Sequence, residues 1–152
     1  MPYLKPEETM RGFSEFVLKE VRPRIEDEFV RAQLGSMSST LRFVSGEIQG
    51  MDEAVEAQRQ TLVASLDGVE TAVDESEEEV LESVEEARER VDDAADAGTR
   101  ELEEALLAAC EDVLQTIDDE LDGDNAKRAR RPLYDFLDVR VESQLRMCGR
   151  GQ

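Results

Sequence analysis

Apolar residues recur along this chain at steps of three and four, and no stretch sustains the period-two alternation of a half-buried strand. Pro6 suits a first helical position, with Glu7 and Glu8 in the turn where the helix dipole favours anions. Met10, Phe13, Val17 and Val21 then mark one face of a first helix, which Pro23 should stop near Arg22. The pattern restarts at about Arg24 and runs through Val30, Leu34, Met37, Leu41, Val44, Ile48, Met51 and Val55 in alternating steps of four and three. Two consecutive steps of four at Gln58, Leu62 and Leu66 relax the repeat toward that of a straight bundle helix. Unbroken from Arg24 to Leu66, this helix would be on the order of 65 Å long. Gly35, Gly46, Gly50 and Gly68 are places where it could bend. The small, polar run Gly35 to Thr40 is expected to pack closely against the first helix; it could also admit a partner or ligand to the backbone.

The stripe weakens around Asp67-Gly68 and Asp74-Glu75-Ser76, where a turn or kink is expected, with Ser76 and Glu79 as a capping box for the next helix. Val80, Val84, Ala87, Val91 and Ala94 give that helix a thin stripe, and Gly98-Thr99 offers a further break. Leu102, Leu106, Ala109, Val113, Ile117 and Leu121 carry another helix, ended by the turn formers Asp122-Gly123-Asp124-Asn125. Pro132 is a natural start for the last, whose stripe is Tyr134, Leu137, Val141 and Leu145; Gly149 to Gln152 should be a frayed tail. The expected fold is all-α, an up-and-down bundle of about five helices in a single domain spanning 1–152. Within it, residues 1–66 and 126–148 are expected to be aromatic-rich packed ends, and 67–125 an acidic hairpin able to project like a coiled coil.

Composition sharpens this outline. The 152 residues carry 38 acidic and 18 basic side chains, and only Lys5, Lys19 and Lys127 are lysine, which suggests adaptation to high salt. Molar salt shortens the Debye length to about 3 Å and suppresses the repulsion such a surface generates in dilute buffer. Leu, Val, Ile and Phe together number 37, about 24 % of the chain and above the roughly 20 % below which disorder is expected. The acid is concentrated: residues 51–125 hold 27 acidic and 4 basic side chains, whereas residues 1–50 hold 8 and 7. Aromatics are distributed the other way, with Tyr3, Phe13, Phe16, Phe29 and Phe43 early, Tyr134 and Phe136 late, and none between. No apolar run reaches the roughly 20 residues of a membrane span, and the opening residues form no signal peptide, so a cytoplasmic location is expected.

Chemistry is limited by the absence of histidine. That removes Ser-His-Asp and Cys-His catalysis, Glu-x-x-His and HExxH metal sites, and histidine phosphotransfer. Neither a GxGxxG nor a GxxxxGK[ST] motif is present. Cys110 and Cys148 are too few and too distant for a zinc cluster or redox pair and read as ordinary thiols. Glu78, Glu82, Glu85, Glu86 and Glu89, with Glu101 and Glu104, have the three- and four-residue spacings by which helix carboxylates hold Mg²⁺. With one residue in four acidic, chance supplies many such pairs, so a solvated acidic face is the simpler reading. The basic run at Arg128, Arg130 and Arg131 is expected to pair with neighbouring acidic helices, and net charge −20 opposes nucleic-acid binding.

Three stretches resemble a small bacterial family of unknown function, often encoded beside aminoglycoside or choline kinase-like phosphotransferases and acyl-CoA dehydrogenases. They are Lys5-Pro6-Glu7-Glu8 through Phe16-Val17 with Val21-Arg22-Pro23, Leu41-Arg42-Phe43-Val44 with Glu47, and Leu137 through Arg146. The resemblance implies a helical accessory protein linked to a small-molecule kinase or an acyl-CoA pathway. It carries no catalytic residues with it.

The functional expectation is therefore a non-catalytic helical protein, without cofactor, metal, nucleic acid or membrane. It would bind another protein or itself through apolar helix faces near Phe13, Phe16, Phe29, Phe43, Tyr134 and Phe136. A Mg²⁺-dependent helical nucleotide hydrolase using carboxylates of residues 75–104 is the alternative, and a small-ligand or acyl carrier bundle is a third.

Overall fold

A computed structural model of the chain describes residues 5–147, with side chains through residue 145; Tyr3, Cys148 and the tail from Gly149 lie outside the described residues. Five α-helices follow one another: α1 (Pro6–Phe16), α2 (Glu28–Ala72), α3 (Glu78–Asp93), α4 (Thr99–Glu120) and α5 (Gly123–Met147). No strand occurs among the described residues, so the all-α expectation holds. No described helix is long and apolar enough to cross a membrane.

The chain divides into two compact units, residues 1–52 and 53–152, and α2 contributes to both. In the first, α1 widens into a π turn over Val17–Val21 and closes with a 3₁₀ turn at Arg22–Arg24, where Pro23 cannot supply the N–H that an α-helix would need. Asp27 then caps α2, its carboxylate accepting from the Val30 N–H at 3.0 Å. The returning helix runs antiparallel to α1, because Glu7 meets Ser45 and Ser14 meets Ser38.

The second unit is a four-helix bundle. Val55, Leu62, Leu66 and Val69 of α2 converge with Val80, Val84, Ala87 and Val91 of α3, and all are buried. Leu102, Leu106, Ala109, Val113 and Ile117 of α4, and Ala126, Ala129, Leu133 and Phe136 of α5, complete the core. Every one of these stripes steps by three and four, the spacing that packs helices at roughly 20° in up-and-down bundles. Contacts in reversed order confirm the alternation: Ser83 meets Thr116 across α3 and α4, Arg130 and Arg140 meet Asp118 and Glu103 across α4 and α5. Gly68 lets α2 come close to α5, since a Cβ there would lie 2.7 Å from that of Pro132. At the tight α4–α5 connection Gly123 adopts φ +55°, a conformation costly for other residues.

Several sequence expectations are corrected here. The acidic helices α3 and α4 are packed into the core together with residues 55–69 of α2 and 126–136 of α5, while Phe13, Phe16, Phe29 and Phe43 of the first hairpin are exposed by 57 to 71 %. Four thin stripes enclose a core because they converge, whereas bulky side chains without a second layer enclose nothing. The Ser76 capping box does not form; Glu77 precedes α3 and makes no side-chain cap bond. Pro132 does not open the last helix. It sits inside α5, which begins at Gly123.

Two polar features stand out in this bundle. Gln58 occupies a core step between Val55 and Leu62, is fully buried, and its amide Oε1 and Nε2 have no hydrogen-bond partner among the described residues. Arg88 on α3 reaches Asp67 at 2.7 Å and Glu70 at 2.5 Å on α2, and also Glu85. These carboxylates hold the Arg88 guanidinium firmly protonated, most of all through the hydrogen bond to Glu70, against the opposing effect of burial. Because leaving a buried amide unpaired costs about 1–3 kcal/mol, Gln58→Leu is expected to stabilise the protein by about 1–2 kcal/mol in urea unfolding. Arg88→Gln should destabilise it by about 1–3 kcal/mol in dilute buffer, and by clearly less in molar KCl, where the three carboxylates repel one another less.

Candidate protein-binding surface

The helical hairpin of residues 5–52 is built with its polarity reversed. Its buried side chains are Glu7, Ser14, Ser38 and Ser45, and no described apolar residue before Val55 is buried. The Ser14 and Ser38 hydroxyls lie 2.8 Å apart, each within 2.9 Å of the other residue's carbonyl oxygen. Ser45 donates to the Glu7 carbonyl at 2.8 Å. Small hydroxyl residues let α1 and α2 approach closely: within the run from Gly35 to Thr40, Ser38 meets the first helix, while Ser36, Met37, Ser39 and Thr40 are exposed. Each such hydrogen bond contributes only about 1 kcal/mol net.

Because the contact runs along serines, the apolar stripes of the two helices fall beside it. At about 100° per residue, Met10, Val17 and Phe13 lie on one rotational side of the line joining Glu7 and Ser14. Leu34, Leu41, Met37 and Val44 lie on the same rotational side of the line joining Ser38 and Ser45. In antiparallel helices, equal rotation from the contact line leads to the same flank of the pair. Observed contacts fix the opposite flank: Arg11 donates to Gln49 at 3.2 Å, and the Arg22 guanidinium lies 3.8 Å from where a Gly35 Cβ would be. Arg11, Arg22 and Glu15 therefore mark a charged flank, and the two apolar stripes share the other. On this apolar flank Phe13 and Met37 are exposed, and Met10, Val17, Leu34, Leu41, Val44 and Ile48 are half-buried.

Of the six aromatic residues expected to bind protein, only Phe13 belongs to this surface. Phe16, Phe29 and Phe43 are exposed but turned toward the outer sides of the hairpin. Tyr134 is half-exposed on α5, and Phe136 is fully buried in the bundle core, so it is not available to a partner. The aliphatic residues of the flank were visible in the sequence as an unbroken stripe. Their orientation was not, since periodicity identifies a face without saying what it meets.

The other candidate chemistry disperses. No group of three or more Cys, Asp or Glu residues is placed to hold a metal ion among the described residues. Glu85 pairs with Arg88 and Glu104 with Arg100. Glu120 lies against Glu79, and hydrogen bonding to that carboxyl and its charge raise the Glu120 pKa. In the basic run, Arg130 pairs with Asp118 on α4, whereas Arg128 donates to the uncharged amide of Asn125 on its own helix. A 370 Å³ surface cleft between α2 and α5, lined by Thr61, Ser65, Gly68, Arg131 and Pro132 among others, is open to solvent. Cys110 is fully buried on α4, and burial pushes its thiol up to about 12, with Glu111 adding to the effect.

Comparison with models of known protein families, with curated proteins and with solved structures returns no match. The chemistry of the surface is therefore what bears on function. Since the thiolate is the reactive form, Cys110 should resist aromatic disulfide reagents in the native protein and react only on unfolding, as thiol titration of a Cys148→Ser variant would show.

Proposed function

We propose that this protein is a non-catalytic interaction protein whose hairpin flank binds the apolar surface of a protein. The observation that carries this reading is the inversion in residues 5–52, with serines inside, Phe13 and Met37 exposed, and the Leu34–Leu41–Val44 stripe only partly buried. Apolar area in water is unfavourable by about 25 cal/mol per Å², and contiguous patches rimmed by polar residues mark interaction sites. The bundle of residues 53–152 has its own buried core and serves as the folded body that carries the flank.

The acidic surface fits a protein that works in concentrated salt, where apolar association is strengthened and charge repulsion is screened. Two of the three stretches that resemble the bacterial family of unknown function, residues 5–23 and 41–47, build this hairpin. An accessory role beside a small-molecule phosphotransferase or an acyl-CoA enzyme would use it as the docking element.

The test compares wild type with Leu41→Asp, in which a charge is placed in the middle of the flank, by light scattering and by recovery of partners from native extract in molar KCl. Wild type should associate with itself or retain a specific protein, and the variant should lose at least about 90 % of that binding, since one unpaired buried charge costs several kcal/mol. Circular dichroism should show the bundle unfolding as before. A wild-type protein that stays monomeric and retains nothing would overturn the reading.

A further inference from the structure

Resting on that reading, we infer that the occupant of the hairpin flank is a second copy of the same chain, so that two hairpins close face to face into an intermolecular four-helix bundle. Charge distribution is the first argument. Residues 1–52 carry 7 basic and 9 acidic side chains, whereas residues 53–152 carry 11 and 29. Two copies repel wherever their bundles meet, and the near-neutral hairpin is where that repulsion is least. A two-fold contact sets each patch against itself, which a strongly charged patch cannot tolerate. Over Met10–Val17 of the first helix and Leu34–Val44 of α2 the positions on this flank are apolar, while Arg11, Glu15 and Arg22 lie on the opposite flank and Glu7 is buried on the contact line.

Packing geometry gives the second argument. The chain already shows how it builds a core, by bringing together four stripes with steps of three and four. One hairpin presents two such stripes on one flank, and two hairpins supply the missing pair. The area is sufficient. The face is about 25 Å along the helices and about 20 Å across two of them, so two copies bury on the order of 1,000 Å², at the lower bound of a specific interface. The serine contact also fits, since it holds α1 and α2 in a pair without consuming the apolar stripe.

The experiment uses the full chain in molar KCl. Sedimentation equilibrium should show a monomer–dimer equilibrium whose dissociation constant rises at least about 100-fold in Met37→Asp and in Leu41→Asp, as expected for central positions of an interface. Phe13→Leu, which keeps the flank apolar, should leave a dimer. In parallel, p-benzoylphenylalanine in place of Phe13 is photo-activated in a mixture of isotopically light and heavy chains. Crosslinks between light and heavy copies should map to residues 10–21 or 30–48, whereas the same probe in place of Phe43 should give none. A wild-type monomer overturns the inference; the broader reading then stands only if the chain retains another protein that Leu41→Asp releases, and falls if it does not. A dimer that survives both aspartate variants, or that crosslinks from position 43 and not from 13, also overturns it.

Discussion

Convergence of four apolar stripes with one spacing is the constraint that lets so acidic a chain fold. A core made of Val, Leu and Ala at every third or fourth position needs no bulky side chain, provided that four faces meet and exclude water. Among the described residues Phe136 is the single aromatic in it. The carboxylates occupy the remaining helix faces, where water solvates them, and a few cations tie adjacent helices together at the rim. Arg88 bridges α3 to α2, Arg90 reaches Asp112 on α4 at 2.5 Å, and Arg140 meets Glu103 at 3.0 Å with both side chains only 17 % exposed. The more exposed of these pairs, such as Arg90 with Asp112, contribute little individually. Here each arginine also offsets local excess of negative charge, so the sparse cations are placed where helices would otherwise repel.

The hairpin obeys a different rule. Its helices meet through hydroxyls, which permits a close approach but leaves every apolar side chain of the pair at least partly open to water. The same steps of three and four that build a core in residues 53–152 build an open face in residues 5–52. Identical periodicity thus has two outcomes, decided by which line of the helix faces its neighbour. In α2 the change takes place within one continuous helix: Ser38 and Ser45 are buried in the first part, and Val55, Leu62 and Leu66 in the second.

That contrast explains how much was legible in the sequence. Helix existence, the end of the first helix at Pro23, the break at Gly98 and the all-α class follow from periodicity and breakers, which are local properties. The boundary between packed and open regions is not local. Aromatic residues looked like core markers, yet Phe16, Phe29 and Phe43 lie off the stripes or beside a contact that serines occupy. The small run from Gly35 to Thr40 held the decisive clue, since close packing there turns the neighbouring stripe sideways. Pro132 misled for a related reason. A proline at a helix start and a proline tolerated inside a helix look alike in sequence, and only the approach of α2 at Gly68 shows that α5 continues through it.

Charge and apolar surface are therefore distributed as two answers to one problem. A strongly like-charged protein that must associate needs a region where two surfaces can touch without bringing carboxylates together. Spreading the charge evenly would leave no such region, because at short range even screened carboxylates repel and lose hydration. Concentrating it on a self-sufficient bundle frees the remaining helices to be nearly neutral. The hairpin then places Arg11, Glu15 and Arg22 away from the flank of Phe13, Met37 and Leu41, so the segregation seen along the chain is repeated in part across a single pair of helices. An apolar face left open for no purpose would be the most aggregation-prone surface of the molecule. Its alignment on one flank, held there by a serine contact that forgoes apolar burial, is the arrangement expected of an interface.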